Sequence, residues 1–253
     1  MAVHRGPVQT RYIREVLLAP GTNSDAYPFC LPVVAHLDRV GGLSLPPGVT
    51  FLVGENGSGK STLVEALAVA AGMNPEGGSQ NYRFATRSSE SSLGRNMVVK
   101  WDVRKPRSRF FLRAESFYNL ATATEDLGPQ QLAVFGGVPL HERSHGESFV
   151  EVMRNRMFPD GLYLLDEPEA ALSPGGCMAV LALLADLAAQ RCQIVVATHS
   201  PILLALPGAT IYQIFDDGAI DSVAFDEAMP VRVTRDFLAS PDRYLRHLLP
   251  SGD

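Results

Sequence analysis

The sequence predicts an α/β fold in which a mostly parallel central sheet is flanked by helices. Three apolar runs, at residues 49–53, 161–165 and 193–197, carry no charged side chain. Such runs are typical of parallel strands that are covered on both faces. Helical patterns at residues 60–72 and 174–190 follow the first two runs. A chain of 253 residues with 46% hydrophobic side chains is long enough to bury such a core.

The remaining predicted elements are shorter. They comprise an opening strand at residues 11–18, alternating runs at 96–103 and 108–114, a hairpin at 209–225 and two helices at 234–238 and 240–249. The alternating runs indicate antiparallel strands with one exposed face. The hairpin is indicated by two apolar runs on either side of Asp216-Asp217-Gly218.

A glycine-rich stretch lies between the first apolar run and the first helix. It has the spacing G-x-x-x-x-G-K-S, and its residues are Gly54, Glu55, Asn56, Gly57, Ser58, Gly59, Lys60, Ser61 and Thr62. Glycines let backbone N–H groups wrap a β-phosphate without a Cβ in the way. Lys60 would then reach the β- and γ-phosphates, and Ser61 would offer its hydroxyl to Mg²⁺ at the helix N-terminus. A plain glycine-rich turn is the alternative, but the flanking strand and helix favour a phosphate site.

Polar residues follow the second and third apolar runs. Because ligands of open α/β sheets bind beyond the carboxyl ends of the strands, these residues are candidates for chemistry. Asp166 is placed to hold Mg²⁺ directly or through water, and Glu167 is the candidate general base for the water that attacks the γ-phosphate. His199 could hydrogen-bond the γ-phosphate or that water, with a purely structural role as the alternative.

Two aromatic residues, Tyr27 and Phe29, precede the glycine-rich stretch. In many ATPases with such a loop an upstream aromatic side chain stacks on adenine, and either ring could serve here. Both rings could equally belong to the core. The sequence leaves these two interpretations open.

One region is basic, although the net charge of the chain is -5. Its basic residues are Arg83, Arg87, Arg95, Lys100, Arg104, Lys105, Arg107, Arg109 and Arg113. A solvated face is one interpretation of this region, and a surface for nucleic acid or an acidic partner is the other. The overall charge gives no general reason to expect nucleic acid.

The cysteines and the apolar segments indicate in which compartment the protein is expected. Cys30, Cys177 and Cys192 lack C-x-x-C spacing, which indicates reduced thiols rather than disulfides or a zinc site. The longest apolar region, residues 178–189, is interrupted by Asp186 and too short to span a bilayer. We therefore expect a soluble, cytoplasmic protein without direct membrane insertion.

Four motifs occur in an order that resembles the ABC-class ATPases. They are the glycine-rich stretch 54–62, Ser144-His145-Gly146-Glu147, Leu164-Leu165-Asp166-Glu167-Pro168 and Ala197-Thr198-His199-Ser200-Pro201. Ser144 and Glu147 also have the spacing of a helix capping box. In detail the chain resembles the soluble, stand-alone branch related to RecF, SMC and OLD-type proteins. The match spans roughly residues 30–225.

The resemblance implies a P-loop NTPase fold of the ABC type in one domain, residues 1–253. It places an antiparallel β region at about residues 80–115 and a small helical signature region at about residues 116–160. It also implies ATP and Mg²⁺ as cofactors and an ATP-dependent homodimer. In that dimer Ser144, Gly146 and Glu147 of one chain would contact the ATP held by the other. Glu115 would occupy the position of the Q-loop residue and contribute to the metal site.

The function expected from these features is a Mg-dependent ATPase whose ATP-driven dimerisation acts on an unidentified protein partner. The ATP-binding subunit of an ABC transporter is an alternative, and a nucleic-acid-associated ATP switch is another. The L-S-G-G-Q signature of the family is reduced here to Arg143-Ser144-His145-Gly146-Glu147. No N-K-x-D guanine motif is present in the sequence, which argues against a GTPase.

Overall fold

The computed structural model describes residues 10–21, 25–74, 90–115 and 145–249. Its strands are β1 (Ile13–Leu18), β2 (Leu43–Ser44), β3 (Val49–Gly54), β4 (Met97–Trp101), β5 (Ser108–Arg113), β6 (Gly161–Asp166), β7 (Gln193–Ala197), β8 (Thr210–Ile214) and β9 (Ile220–Val223). Its α-helices are α1 (Pro32–Val40), α2 (Lys60–Ala70), α3 (Glu90–Arg95), α4 (His145–Arg156), α5 (Pro174–Ala189), α6 (Pro201–Leu204), α7 (Met229–Ala239) and α8 (Pro241–Leu248). Short 3-10 helices lie at Pro168–Ala171 and Phe225–Glu227.

The central sheet has six strands in the order β5-β6-β7-β3-β8-β9. All neighbours in it are parallel except β8 and β9, which form the predicted antiparallel hairpin. Every residue of β3, β6 and β7 is buried, as their uncharged apolar runs predict. Because β7 lies between β3 and β6, the carboxyl ends of these three strands meet at one edge of the sheet. The predicted mostly parallel α/β fold is confirmed.

A second sheet is antiparallel and has the order β2-β1-β4. The sequence predicted residues 96–103 and 108–114 as antiparallel strands, and this is wrong for the second run. Only β4 joins the antiparallel sheet, whereas β5 is the edge strand of the central sheet and runs parallel to β6. The burial patterns give the reason: β4 has alternately more and less exposed residues, but Phe110, Phe111 and Leu112 of β5 are buried in succession. Consecutive burial requires cover on both faces, which the central sheet provides.

The hydrophobic core lies on both faces of the central sheet. On one face Phe51, Leu165 and Val196 pack with apolar residues of α4 and α5. On the other face Leu52 and Val195 pack with apolar residues of α2. Successive residues of each strand thus enter opposite layers, since side chains alternate along a strand. The two layers hold the strand ends in place.

The side chain of Gln193 connects the two sheets. It is fully buried at the start of β7. Its Oε1 accepts hydrogen bonds from the backbone N–H groups of Tyr12 and Ile13, both at 2.8 Å. Its Nε2 donates to the carbonyl oxygen of Ile13 at 2.9 Å and to that of Pro46 at 3.1 Å. The amide therefore satisfies buried backbone groups that the sheets leave unpaired at their junction.

The first of the two C-terminal helices is longer than predicted, and the second agrees closely with the prediction. α7 begins five residues before the predicted 234–238, and Pro230 stands in its first turn, where a missing N–H costs nothing. α8 matches the predicted 240–249 closely and has no buried residue. Within the ranges the structure describes, no helix is long and apolar enough to cross a bilayer.

Candidate functional site

The glycine-rich stretch forms the loop between β3 and α2. Gly57 and Gly59 have φ angles of 82° and 93°, in the left-handed region that glycine adopts without strain. Gly54 is restricted by its neighbours instead, because an added Cβ would lie 2.8 Å from both the Ile214 carbonyl oxygen and Ser58 Oγ. The loop is thus a concave backbone turn at the N-terminus of a helix, a geometry suited to an anion.

Lys60 is the first residue of α2, and its side chain is buried against this loop. Its Nζ donates hydrogen bonds to the carbonyl oxygens of Gly54 at 2.9 Å and Glu55 at 3.0 Å. Burial lowers the pKa of Lys60, while the nearby carboxylates of Glu167 and Asp166 act in the opposite direction. The side chain places a cation inside the loop and close to both carboxylates.

Asp166 ends β6 and is 2% exposed. Burial raises its pKa to about 6, and the Arg113 guanidinium and the Ser61 hydroxyl oppose that rise. Its Oδ2 lies 3.2 Å from Arg113 Nε. Its Oδ1 is buried and has no hydrogen-bond partner among the described residues. The structure therefore brings Asp166 and Ser61 together, and within the described ranges one carboxylate oxygen of Asp166 has no partner.

Arg113 links three acidic residues at this edge. Besides Asp166, its Nη1 donates to Glu65 Oε2 at 3.1 Å, and its Nε lies 3.7 Å from Glu115 Oε2. Glu65 is buried in α2, whereas the Glu115 side chain is 83% exposed. Glu115 was predicted as a site residue from the sequence, whereas Glu65 and Arg113 were not. The available signal was a charge at Glu65 within the apolar face of α2.

Glu167 and His199 meet at the same edge. Glu167 has φ 49° and ψ 52°, a left-handed conformation that is uncommon for residues other than glycine and recurs at functional sites. Its Oε1 lies 3.8 Å from His199 Nε2. The backbone N–H of His199 donates to Glu169 Oε1, a contact that the sequence did not reveal. Both side chains are partly exposed, although the His199 Nε2 atom itself is buried and has no hydrogen-bond partner among the described residues.

The two aromatic candidates lie in different surroundings. Tyr27 is 49% exposed, and its hydroxyl lies 3.3 Å from Thr62 Oγ1 in the first turn of α2. Phe29 packs against the core beside the central sheet. The core interpretation therefore fits Phe29, and Tyr27 is the aromatic ring next to the loop.

The signature region is described only from residue 145, where α4 begins. Ser144, the predicted capping residue, lies outside the described residues. An added Cβ on Gly146 would lie 3.3 Å from the carbonyl oxygen of Ala171, so the start of α4 packs closely against the segment after Glu167. Glu147 is exposed on the first turn. Contact of this turn with a second chain stays a prediction.

Some residues of the basic region make contacts within the fold. Arg83 and Arg87 lie outside the described residues. Arg109 donates to the Ala71 carbonyl oxygen at 2.9 Å and stacks on the ring of Trp101, which Lys105 also contacts. Part of the positive charge is therefore used inside the fold, and a nucleic-acid surface stays a prediction.

The residues at this edge fit Mg²⁺ and a triphosphate. Mg²⁺ prefers oxygen ligands and is commonly bound by one or two carboxylates together with phosphate oxygens. Asp166 Oδ1 and the Ser61 hydroxyl are oxygen atoms of this kind, and a Cβ at Gly54 would clash with Ser58 Oγ inside the loop and with the Ile214 carbonyl oxygen. Among the described residues no cluster of three or more His, Cys, Asp or Glu side chains forms a separate metal site.

Two family models match the chain. One, described as "AAA domain", matches residues 38–125. The other, described as "AAA domain, putative AbiEii toxin, Type IV TA system", matches residues 149–205. The first match contains the glycine-rich stretch, and the second contains Asp166, Glu167 and His199.

Similar proteins include ATP-binding proteins of transport systems. Cytochrome c biogenesis ATP-binding export protein CcmA of Rhodospirillum rubrum is 33% identical over 177 residues, which cover 66% of this chain and 73% of the relative. ABC transporter ATP-binding protein/permease PDR18 of Saccharomyces cerevisiae is 25% identical over 200 residues, which cover 71% of this chain but 14% of that protein. Among solved structures, an SMC head domain from Thermotoga maritima is 17% identical, with a TM-score of 0.42 and coverage of 72% of this chain and 93% of that one.

Proposed function

Because the chain belongs to the ABC-class P-loop ATPases, we propose that it binds ATP with Mg²⁺ and hydrolyses the ATP to ADP and phosphate. One observation carries this proposal most directly. Buried Asp166 has one carboxylate oxygen without a partner among the described residues, and the same carboxyl group interacts with Ser61 and with the buried Lys60 next to the loop. A buried carboxylate oxygen without a partner is costly, and a cation at this position would remove that cost.

The loop would bind the triphosphate. Its backbone N–H groups between Gly54 and Gly59 would surround the β-phosphate, and Lys60 would contact the β- and γ-phosphates. Ser61 and Asp166 would hold Mg²⁺, which when bound neutralises charge on the phosphates. The exposed ring of Tyr27 would stack on the adenine.

Glu167 and His199 would act on the attacking water. Glu167 would orient this water and accept its proton, and His199 would donate a hydrogen bond to the γ-phosphate or to the same water. The 3.8 Å between Glu167 Oε1 and His199 Nε2 supports a shared task. Glu169, which holds the His199 backbone, would be a positioning residue.

We also propose that the single domain, residues 1–253, works as an ATP-dependent homodimer in the cytoplasm. Ser144, Gly146 and Glu147 of one protomer would contact the γ-phosphate bound by the other, and Glu115 would approach the metal site from its exposed position. Hydrolysis would then release the dimer and change the contact with a protein partner.

A transporter subunit is a second candidate function. It is favoured by the relative named as an ATP-binding export protein. A stand-alone ATPase would dimerise on ATP and hydrolyse it without any membrane component, whereas a subunit would need its membrane partner for rapid turnover. Measuring hydrolysis by the purified chain distinguishes the two. A nucleic-acid switch would instead show salt-sensitive DNA retention that Arg104→Ala with Arg107→Ala removes.

The ATPase proposal is tested by ATP binding and phosphate release in the presence of Mg²⁺. Lys60→Ala should abolish binding, whereas Lys105→Ala, which changes a lysine stacked on Trp101, should not. Glu167→Gln should bind ATP but release phosphate at least about a hundredfold more slowly, and should accumulate dimer in light scattering. Wild-type protein without Mg-dependent ATP binding would overturn the proposal. Full turnover by Glu167→Gln would remove only the assignment of the base.

A further inference from the structure

Arg113 holds two buried carboxylates with different nitrogens of one guanidinium. Its Nε lies 3.2 Å from Asp166 Oδ2, and its Nη1 lies 3.1 Å from Glu65 Oε2. The Asp166 and Glu65 side chains are both at least nine-tenths buried. A planar guanidinium offers fixed directions to both partners, which a single ammonium group cannot match.

The position of Arg113 follows from the strand register. β5 and β6 are parallel, and Arg113 is paired directly with Asp166 at their carboxyl ends. The guanidinium therefore starts from the strand next to the carboxylate that it contacts. From there it reaches across to α2, the helix that follows the phosphate loop.

Glu65 connects this contact to the loop. It lies four residues after Ser61 in α2, so both residues are on the same face of the helix, one turn apart. A buried carboxylate is unfavourable in a helix packed against the core unless a cation is held in good geometry. The Glu65–Arg113–Asp166 bridge thus ties the helix that carries Ser61 to the strand end that carries Asp166.

The bridge also selects one oxygen of Asp166. Arg113 occupies Oδ2, and Oδ1 has no partner among the described residues. This contact restrains the orientation of the carboxylate, and the oxygen without a partner among the described residues is the one that Arg113 does not contact.

We infer that Arg113, anchored by Glu65, is a positioning residue that sets the relative placement of Ser61 and Asp166 for the divalent metal that accompanies ATP. This inference rests on the proposed function. It predicts that loss of the guanidinium weakens the metal's contribution to ATP binding more than it weakens binding of the nucleotide itself.

The test compares ATP affinity with and without metal. The affinity of the full chain for ATP is measured by calorimetry in excess EDTA and in excess Mg²⁺. The readout is the affinity in Mg²⁺ divided by the affinity in EDTA. Arg113→Lys keeps the positive charge but cannot contact both carboxylates in the same way. The ratio should fall by about ten- to a hundredfold, the usual effect of losing a residue that orients a metal ligand. Affinity in EDTA should stay within about twofold of wild type, since the loop and Lys60 are untouched.

Arg109→Lys is the matched control. Arg109 lies on the same strand and donates to a backbone carbonyl of the α2 end, but it has no contact with Asp166. The ratio of ATP affinities for Arg109→Lys should equal that of the wild-type protein. Glu65→Gln provides an independent variant, because it weakens the anchor without altering either proposed metal ligand. A smaller decrease of the ratio is expected, and circular dichroism establishes that each variant is folded.

The outcomes separate the two proposals. If wild-type protein binds no ATP, the proposed function fails. If wild-type protein binds ATP more tightly with Mg²⁺, and Arg113→Lys and Glu65→Gln keep the same ratio as Arg109→Lys, the positioning role is refuted while the proposed function stands. A parallel loss of affinity in EDTA and in Mg²⁺ also refutes it, because that result indicates a structural role alone.

Discussion

Replacing Asp166 by Asn is expected to stabilise the nucleotide-free protein near neutral pH. Burial raises the pKa of Asp166 from 3.8 to about 6, so the folded state disfavours its charged form. This rise in the pKa corresponds to roughly 3 kcal/mol of free energy. Asn has nearly the same shape and no charge, and Arg113 keeps Glu65 as a partner in the variant. The free energy of unfolding should therefore increase by up to about 3 kcal/mol.

The pH dependence of this effect has a defined sign. A carboxyl group whose pKa is raised by folding lowers stability when it is charged. The cost is fully present above the folded-state value of about 6 and disappears below the ordinary value of 3.8. The advantage of Asn over Asp should therefore be largest at about pH 8 and should fall to roughly half at about pH 5.

Urea unfolding in EDTA, without nucleotide, measures this difference at both pH values. Asp186→Asn, a change at an exposed position of α5, is the control and should have little effect at either pH. Lower stability of Asp166→Asn at about pH 8, or a gain that does not decrease at about pH 5, would refute the reasoning. Either result would mean that the fold stabilises the charged carboxylate.

Further predictions concern the sheet junction, the loop and the aromatic ring. Gln193→Leu should lower the free energy of unfolding by roughly 3 kcal/mol or more, because it leaves several buried backbone groups unpaired. Chemical denaturation measures this change, and Gln190→Leu, at an exposed position, is the control that should not lower stability. Gly54→Ala should weaken ATP binding at least about tenfold in a fold that survives, because its Cβ would displace the loop from the Ile214 carbonyl; unchanged affinity would contradict the cradle geometry. Tyr27→Ala should weaken ATP binding by about tenfold, the typical value of base stacking, and Tyr27→Phe should restore it; equal affinities of the two variants would exclude stacking.

The buried parallel strands were the most predictable part of the fold. A short apolar run without a charged residue suits a strand that is covered on both faces, and β3, β6 and β7 lie where such runs occur. The partner of β5 was less accessible to prediction. Its flanking arginines imitate the alternation of an exposed strand, and only the packed fold reveals that its three central residues are covered on both sides.

The site was predictable where neighbouring residues in the sequence carry the chemistry, as in the loop around Lys60. It was not predictable where residues meet across strands. Arg113 and Glu65 are 48 positions apart, and their contact depends on the register of β5 with β6 and on the placement of α2. A single sequence contains the charges but not the pairing that brings them together.

The order of the central strands has a consequence for how the chain tolerates change. Asp166 is paired with Ala197, and Leu52, two residues before Gly54, is also paired with Ala197. The register of β7 therefore aligns the ends of both neighbouring strands. The distances within the site are therefore set by the hydrogen-bonded pairing of the strands and not by the lengths of the connecting segments. A one-residue slip of β7 would therefore shift His199 relative to both the loop and the Asp166-Glu167 pair at once.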